Sequence, residues 1–216
     1  MSFLTHPSTP SPLPFSQACE NNQQPILNVL SQAFAHSTHV LEIGSGTGQH
    51  SVFFAPRLPH LVWQTSDLPA NHAGIAAWQQ QHPSPNLRLP VTLDLQDPAW
   101  PASHTDGNAG AAIDAIFTSN TCHIVSWDLV QQLFTLAGAN LPAGGVMVIY
   151  GPFNYHGQFT SESNQSFDAW LRQRDPSSGI RHQEDMMALA AQHGLTLMTD
   201  HAMPANNRTL VFRKTA

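Results

Sequence analysis

Three glycines at alternating positions follow an acidic residue in the stretch VLEIGSGTGQH. The acid is Glu42, and the glycines are Gly44, Gly46 and Gly48. Because glycine has no Cβ, a backbone with this spacing can pass close beneath a flat or bulky ligand. An apolar segment precedes the loop and a helical pattern follows it, which is typical of a nucleotide-binding turn between a strand and a helix. The alternative interpretation is a tight turn that binds nothing.

The spacing differs from two other glycine-rich nucleotide loops. A dinucleotide fingerprint, Gly-x-Gly-x-x-Gly, would have its third glycine where this chain has Gln49. A phosphate-binding P-loop would need a lysine directly after its last glycine, and the sole lysine of the chain is Lys214. A nicotinamide-dependent oxidoreductase is therefore the weaker alternative for a nucleotide-binding enzyme.

Acidic residues follow the next two predicted strands. The segment WQTSD ends in Asp67, and Asp94, within LDLQD, ends the third predicted strand. The carboxyl ends of parallel strands meet at one edge of a sheet, where a carboxylate can accept hydrogen bonds from ribose hydroxyls and a second can reach an adenine amino group. Helix capping explains either acid alone, but two acids at successive strand ends favour an adenosine site. Together with the glycine spacing, they predict S-adenosylmethionine as the cofactor.

Alternating strand and helix patterns surround these residues. Apolar runs predict five strands at 39–43, 61–66, 87–94, 113–119 and 144–150, with helices at 48–58, 73–82 and 129–137. This alternation predicts a parallel sheet with helices on both faces. Two short strands, 195–200 and 208–214, flank the turn-rich segment HAMPANN and predict an antiparallel pair. The whole pattern predicts an α/β, Rossmann-like class I methyltransferase fold with a mostly parallel seven-stranded sheet.

The remaining segments predict one domain with a tail. Residues 1–14, rich in Pro, Ser and Thr, predict a flexible tail, and residues 15–216 are expected to form the single domain. The helical pattern between 15 and 34 is expected to begin at Pro25, since proline favours the first helical turn. Residues 102–112 are predicted to be a surface loop.

The composition excludes several partners. The 216 residues include 8 Lys+Arg and 14 Asp+Glu, for a net charge of −6, so neither nucleic acid nor an anionic membrane is an expected partner. The 13 histidines are scattered without metal-ligand spacing, so no metal site is predicted. The N-terminus lacks the features of a secretory leader, and no apolar run approaches the ~20 residues of a membrane helix. Cys19 and Cys122 are therefore expected to be reduced thiols of a cytoplasmic protein.

Several longer segments resemble the methyltransferase-like 26 family of class I S-adenosylmethionine-dependent methyltransferase homologues. The resemblance runs from about Cys19 to the C-terminus and rests on NQQPIL, GSGTGQH, WQTSD, SNTCHI, YGPF, SNQSFDAWLRQRDP and MPANNRTLVFRK. The last two segments are specific to the family rather than to the fold. Relatives commonly carry Arg where this chain has Asn22, so any role of that Arg is lost or moved here.

The resemblance implies a set of cofactor-binding residues. The glycine loop would line the methionine and ribose, Asp67 would bind the ribose, Asp94 and Leu95 would lie at the adenine edge, and Asn120 would lie beneath the transferable methyl group. The complete predicted set is Glu42, Gly44, Ser45, Gly46, Gly48, Asp67, Leu68, Asp94, Leu95 and Asn120.

Methyl transfer from a sulfonium is an in-line displacement, for which the protein mainly aligns the two reactants. Oxygen and nitrogen acceptors often also need a general base. His123, in SNTCHIVSW, is the predicted base, and its alternative role is that of a helix-start residue bonded to backbone. Asp168 is a second candidate catalytic residue. Cys122 is expected to be a buried thiol rather than a nucleophile.

Two further stretches are predicted to reach the acceptor. The loop 150–163 is rich in Gly and aromatic residues, which either enclose the acceptor or fix the loop. In the following helix, Phe167, Trp170 and Leu171 are expected to point inward. Asn164, Asp168 and Arg172 share a face, either as a solvated pair or as part of the site. The predicted substrate residues are His123, Tyr150, Phe153, Asn154, Tyr155, Asn164, Asp168, Arg172, Asn206 and Asn207.

These features predict an S-adenosylmethionine-dependent methyltransferase that acts on a small molecule. The alternative is a non-catalytic S-adenosylmethionine-binding module that acts through a protein partner. A cleft open to a methyl acceptor favours the enzyme, whereas a closed apolar wall at the methyl side favours the binding module.

Overall fold

The computed structural model describes residues 13–101 and 112–215, which form a seven-stranded sheet and a separate two-stranded sheet. The strands, in chain order, are β1 (His39–Ile43), β2 (Val62–Asp67), β3 (Leu87–Thr92), β4 (Ala115–Ser119), β5 (Val146–Gly151), β6 (Phe153–Asn154), β7 (Arg181–His182), β8 (Leu195–Met203) and β9 (Asn207–Lys214). The helices are α1 (Gln17–Ala33), α2 (Gln49–Phe54), α3 (Pro69–Gln81), α4 (Trp127–Asn140), α5 (Glu162–Arg174) and α6 (Gln183–Gln192).

The large sheet has the strand order β3-β2-β1-β4-β5-β9-β8. Strands β1 to β5 run parallel, and β9 is antiparallel to both β5 and β8. The predicted Rossmann-like sheet with a terminal antiparallel pair is therefore confirmed. After β3 the chain returns to the middle of the sheet, so β1 and β4 are neighbours where the strand order reverses. Ligands of open parallel sheets bind over the carboxyl ends of the strands at this point.

Helices cover both faces of the sheet, as predicted. Successive residues of a strand point to opposite faces, and all five residues of β1 are buried. Leu41 packs in a cluster with apolar residues of α4 and α6, whereas Val40 packs in a second cluster with residues of α1 and α2. A strand buried on both faces needs apolar residues on both of them, and Val40, Leu41 and Ile43 provide these in β1.

The expected helix start at Pro25 is wrong, because α1 begins at Gln17 and contains Pro25 in its interior. The Ser16 side chain caps the helix by accepting a hydrogen bond from the Cys19 amide at 3.4 Å. An interior proline removes one helical hydrogen bond. Contacts with α2 hold the first turns in place, since the Ser16 amide donates to the Gln49 side chain at 2.6 Å.

The third predicted strand exists but is shorter than expected, ending at Thr92. Pro90 is tolerated because β3 is an edge strand that pairs with β2 alone. The register between β2 and β3 shifts between Gln64 and Ser66, opposite the proline. Asp94 therefore lies in the turn after β3 and not within the strand.

The C-terminal part contains more regular structure than the sequence pattern indicated. Strand β8 continues to Met203, so the turn between β8 and β9 is limited to residues 204–206 instead of the whole HAMPANN segment. The ladder supports this extension, because Met203 pairs with Asn207 and His201 pairs with Thr209. Strands β6 and β7 and helix α6 lie outside the predicted elements. Two-residue strands carry too little periodicity to be recognised.

Two predicted segments lie largely outside the described residues. They are the N-terminal tail, of which residues 13 and 14 are described, and the surface loop 102–112, of which residue 112 is described. The Pro14 carbonyl accepts a hydrogen bond from Trp78 Nε1 at 2.7 Å, so this end of the predicted tail contacts α3. Within the described ranges, no helix combines the length and apolar character needed to cross a membrane.

Candidate functional site

Two adjoining cavities lie at the carboxyl ends of β1 to β4. The glycine-loop part, about 340 Å³, is lined by residues 44–47 and by Ser16, Cys19, His50, Asn71, Ser119, Asn120 and Ile124. The apolar part, about 190 Å³, is lined by Ile43, Leu68, Leu93, Asp94, Leu95, Gln96 and Leu129. Both walls include Gly44, Asp67, Thr121 and Val125. Because the walls share these residues, the cavities form one strand-tip cleft.

The glycine loop passes between α3 and the turn after β4 in a left-handed conformation. Gly44, Gly46 and Gly48 have φ values of +72°, +59° and +88°. A Cβ at Gly44 would lie 3.0 Å from Thr121 Oγ1, and one at Gly48 would lie 3.0 Å from the Ile75 Cα. Both glycines are therefore needed for close packing as well as for backbone conformation. A Cβ at Gly46 would meet nothing within 4 Å, so this glycine is needed for its conformation alone.

Glu42 supports the loop from below. Its side chain is buried and accepts hydrogen bonds from Ser45 Oγ at 3.1 Å and from Trp63 Nε1 at 3.0 Å. Burial raises the pKa of Glu42 to about 7, although both hydrogen bonds oppose this shift. Glu42 belongs to neither wall of the strand-tip cleft. Its contact with the cleft runs through Ser45.

Asp67, the last residue of β2, lies where the two parts of the cleft meet. Its Oδ2 accepts a hydrogen bond from the Gly46 amide at 2.7 Å. Its Oδ1 accepts from the Leu68 amide and from Asn71 Nδ2, both at 2.7 Å. The carboxylate is thus fixed in orientation, and each oxygen can accept more than one hydrogen bond.

The apolar part of the cleft, called the apolar slot below, combines leucine side chains with one acid. Leu68 and Leu95, both predicted cofactor residues, contribute to its walls. Asp94 is half-buried in this lining, and its Oδ1 accepts a hydrogen bond from the Gln96 amide at 2.9 Å. A flat ring with a polar edge fits such an environment.

Asn120 follows β4 directly and has a φ of +57°. This left-handed conformation is uncommon for a residue other than glycine, and Asn is among the side chains that tolerate it best. The Asn120 amide donates to the Tyr150 carbonyl at 2.9 Å, which ties the tip of β4 to the end of β5. Asn120 therefore lies in the cleft wall on a backbone that two strands hold in place.

His50 is a cleft residue that the sequence did not identify. It is buried in the glycine-loop part, with Nε2 lying 2.7 Å from Asn22 Oδ1 and Nδ1 lying 3.0 Å from Ser119 Oγ. Burial lowers its pKa to about 4, so the ring is neutral at pH 7. Asn22 thus contacts a residue of the cleft. The only sequence signal was the position of His50 within the motif GSGTGQH.

His123 lies outside both walls of the strand-tip cleft. Its ring packs edge-on against Phe167 with centroids 5.4 Å apart, and a Cβ at Gly151 would lie 3.4 Å from Nδ1. Burial, together with the charge of Arg181, lowers the pKa of His123 to about 4. Its backbone carbonyl accepts a hydrogen bond from the Gly179 amide at 2.9 Å. Burial also raises the pKa of Cys122 to about 12, which keeps it a thiol.

The predicted aromatic wall after β5 is mostly interior. Tyr150 and Phe153 are buried in the two apolar clusters of the sheet. The Tyr155 hydroxyl donates to Asp200 Oδ2 at 2.7 Å, which fixes the loop to β8. Asn154 lines a different cavity of about 310 Å³, together with Arg172. Of the two interpretations of this loop, the contacts match the one in which aromatic residues hold it in place.

The polar residues of α5 contact the protein itself. Asp168 is buried and accepts hydrogen bonds from Arg172 Nε and from the Ile180 amide, both at 2.7 Å. Asn164 Nδ2 donates to the Asn206 carbonyl at 3.1 Å. The bonds of Asp168 and Asn164 thus fix α5 to the segment before β7 and to the β8–β9 turn. Asn207 belongs to β9, and its Nδ2 donates to the Pro204 carbonyl within that turn at 3.2 Å.

Trp170 does not point inward as expected, because its side chain is 47% exposed. The buried face of α5 is set by Asn164, Asp168 and Leu171. At about 100° per residue, Trp170 lies roughly 200° from Asp168, on the opposite side. Trp170 instead lines a cavity of about 390 Å³ with Phe167, Leu171 and Ile124. Ile124 belongs to this cavity and also to the glycine-loop part of the cleft.

A sheet with this strand order, a glycine loop after β1 and acids after β2 and β3 defines a Rossmann-like class I methyltransferase fold. Within the two described ranges, no cluster of three or more His, Cys, Asp or Glu side chains could hold a metal ion. The chain belongs to the family described as "Protein of unknown function (DUF938)", whose model matches residues 13–214.

Solved structures of similar fold are methyltransferases. An O-methyltransferase family protein from Burkholderia thailandensis has 16% identity and a TM-score of 0.74, with 92% of this chain and 58% of that chain covered. Human N-acetylserotonin methyltransferase in complex with SAM has 13% identity and a TM-score of 0.74, with 93% and 53% covered. An O-methyltransferase family 2 protein from Planctomyces limnophilus in complex with apigenin has 16% identity and a TM-score of 0.71, with 91% and 62% covered.

This chain thus spans less than two thirds of the length of each of these proteins. At such identities the similarity shows a shared fold.

Proposed function

We propose that the protein is an S-adenosylmethionine-dependent methyltransferase that acts on a small molecule, and that it is a homologue within the methyltransferase-like 26 family. The observation that carries this proposal is the strand-tip cleft, in which the Asp67 carboxylate lies between a glycine-lined part and an apolar slot. This sequence of environments matches the methionine, ribose and adenine portions of the cofactor in order.

The residues of the cleft fit these portions chemically. The slot formed by Leu68 and Leu95 would hold the adenine ring, with Asp94 at its amino edge. Asp67 would accept hydrogen bonds from the ribose hydroxyls, because its orientation is already fixed by three donors. The glycine loop, with Ser45, would line the methionine, and Asn120 would lie near the methyl group. The cofactor, when bound, supplies an electrophilic methyl group.

The acceptor side distinguishes this proposal from a non-catalytic binding module. Ile124 lines both the glycine-loop part and the 390 Å³ cavity beside α5. Ile124 and Trp170 are 54% and 47% exposed. Apolar side chains left exposed next to a cleft favour a small apolar ligand there. These exposed side chains therefore support a methyl acceptor at this end of the cleft.

His123 and Asp168 remain candidate catalytic residues in this proposal, because each is a neighbour of residues that line the cavity beside α5. His123 adjoins Ile124 in the chain, and its ring contacts Phe167 of the cavity beside α5. Asp168 holds Arg172 and the Ile180 amide. The other predicted substrate residues, from Tyr150 to Asn207, would shape this side of the molecule through the contacts described above.

Thermal unfolding with two ligands tests the proposal. S-adenosylhomocysteine at 100 times its Kd should stabilise the protein by about 2.7 kcal/mol, whereas NAD should have no effect. Stabilisation by NAD alone would overturn the assignment in favour of an oxidoreductase. Methyl transfer is then tested by incubating the protein with a metabolite extract and cofactor labelled in its methyl group. Binding of S-adenosylhomocysteine without any labelled product would favour the non-catalytic module.

A further inference from the structure

Three polar side chains form a connected chain at the floor of the glycine-loop part. Asn22 Oδ1 lies 2.7 Å from His50 Nε2, and His50 Nδ1 lies 3.0 Å from Ser119 Oγ. Asn22 and His50 are buried, whereas Ser119 is half-buried and lines the cleft together with His50. The chain of contacts therefore runs from the interior to the cleft surface.

Hydrogen-bond chemistry fixes the direction of this chain. The Asn22 atom that lies 2.7 Å from His50 Nε2 is Oδ1, and an amide oxygen can only accept a hydrogen bond. Nε2 of His50 must then carry the hydrogen, which leaves Nδ1 of the neutral ring as an acceptor. Ser119 Oγ donates its hydrogen to this nitrogen.

The direction of these hydrogen bonds determines whether Ser119 can donate to a ligand in the cleft or accept from it. Its single hydrogen is used toward His50, so its oxygen offers only lone pairs to a ligand. A group that binds there must donate a hydrogen bond. Ser119 is also the last residue of β4, directly before the left-handed Asn120, so its position is held by the sheet.

We propose that Ser119 and His50 accept the proton of the methyl acceptor, and that the acceptor reacts through a hydroxyl group. This inference rests on the proposed function. The acceptor oxygen forms a bond to the methyl carbon as the carbon–sulfur bond breaks, with its electron pair passing to sulfur. The hydroxyl proton moves to Ser119 Oγ while the Ser119 proton moves to His50 Nδ1. Asn22 Oδ1 holds the resulting imidazolium, which later releases the proton to solvent.

Charge balance supports this step. A buried imidazolium is costly, and burial lowers the pKa of His50 accordingly. The positive charge of the sulfonium disappears in the same step, so the net charge of the cleft is unchanged. A hydroxyl group needs such a base more than a thiol does, because a thiol loses its proton far more easily.

Imidazole nitrogen NMR of the full chain with S-adenosylhomocysteine tests the geometry without any acceptor. We expect His50 to be the neutral tautomer with hydrogen on Nε2 at pH 7, and its Nδ1 signal to shift in Ser119→Ala. A His50 with hydrogen on Nδ1, or with both nitrogens protonated, would overturn the proposal. Ser31→Ala is the matched control, since Ser31 bonds the Leu27 carbonyl on α1 away from the cleft.

The products of the labelled-methyl experiment test the acceptor class. Carbon chemical shifts distinguish a methyl group on oxygen from one on nitrogen or sulfur, and we expect oxygen. Ser119→Ala should lower product formation by about 10²–10⁴, the usual contribution of general base catalysis. Labelled nitrogen or sulfur products, or an undiminished rate in Ser119→Ala, would overturn the inference and leave the proposed function intact.

The affinity for S-adenosylhomocysteine distinguishes a role of Ser119 in proton transfer from a role in cofactor binding. We expect Ser119→Ala to keep the wild-type affinity, because the proposal assigns the Ser119 hydroxyl to the acceptor and not to the cofactor. A tenfold weaker affinity would assign Ser119 to the cofactor ammonium group and would overturn its role as a proton acceptor. No binding of S-adenosylhomocysteine to the wild-type protein would instead remove the proposed function itself.

Discussion

The strand-tip cleft and the α5 side differ in how their polar groups are used. In the cleft, Asp67 and Ser119 line a ligand-sized space, although Asp67 also accepts hydrogen bonds from two backbone amides. On the α5 side, Asp168 and Asn164 are just as polar and also bond a backbone amide and a backbone carbonyl, but neither belongs to the walls of the cavities described above. Both regions were predicted to bind ligands, and of these four residues Asp67 and Ser119 are the two that line a cavity.

The reason lies in the geometry of the two kinds of element. Parallel strands in register end at one edge, so residues after β1, β2 and β4 converge whatever their side chains are. A helix has no such edge, and a polar face at i, i+4 and i+8 can equally meet solvent, a ligand or a neighbouring loop. For α5 the partner is the segment before β7, to which Asp168 is bonded.

The two buried histidines give the sharpest test of the comparison. His50 lines the cleft, whereas His123 lies behind it against Phe167. We expect His50→Gln to lower kcat for the identified acceptor by about 10²–10⁴, and His123→Gln to lower it less. Steady-state kinetics with His60→Gln as a distant control measures this, since His60 bonds the Phe34 carbonyl. A larger loss in His123→Gln would move the base to the α5 side, as the sequence suggested.

Acid should destabilise the fold through the same two histidines. The pKa of each histidine is 6.5 in the unfolded chain and about 4 in the folded one. Between pH 6.5 and pH 4 the unfolded chain therefore binds more protons than the folded chain. Stability is lost as pH falls through this range. Glu42 has the opposite effect on stability. Its pKa is 4.5 in the unfolded chain and about 7 in the folded one, so the stability that it contributes is lost as pH rises from 4.5 to 7.

Two histidines outweigh one glutamate, so the free energy of unfolding should fall by about 3 kcal/mol between pH 7 and pH 4. Urea unfolding at a series of pH values measures the change. His123→Gln and His50→Gln should each flatten the curve. A stability that rises on acidification would show that neither ring is buried as described, and a constant stability would show that only one of them is.

Removing the Asp168 carboxylate should affect stability and not cofactor binding. Asp168→Ala leaves the buried Ile180 amide without its partner, whereas Arg172, with its side chain 51% exposed, returns to water. The free energy of unfolding should fall by about 1–3 kcal/mol. Asp168→Asn, which can still accept from the Ile180 amide, should lose less. A weaker S-adenosylhomocysteine affinity in either variant would join α5 to the cleft.

Removing the Asp67 carboxylate should weaken cofactor binding, unlike the removal of the Asp168 carboxylate. Asp67→Ala should weaken S-adenosylhomocysteine binding by at least ~1 kcal/mol, because it removes charge-assisted hydrogen bonds to the ribose. Isothermal titration calorimetry measures this, with the exposed Asp97→Ala as the control. Unchanged affinity would mean that Asp67 serves only to hold the Gly46 and Leu68 amides.

The sequence predicted the cleft half of the site because local patterns suffice there. Gly44 and Gly48 marked a turn, and Asp67 marked a strand end, each within a segment of a few residues. His50 escaped notice because its role depends on Asn22 and Ser119, which are 28 and 69 residues away. Trp170 was misassigned because an amphipathic pattern does not state which face of a helix is buried.

Apolar periodicity, glycine spacing and strand-end acids by themselves determined the sheet, its terminal antiparallel pair and the place of the cleft. These features are local, and parallel strand pairing converts them into one edge without further information. Only the tertiary structure decided which polar side chains face the cleft and which bond the protein itself. That choice depends on partners distant in the chain, whose approach depends on how helices such as α1 and α5 dock.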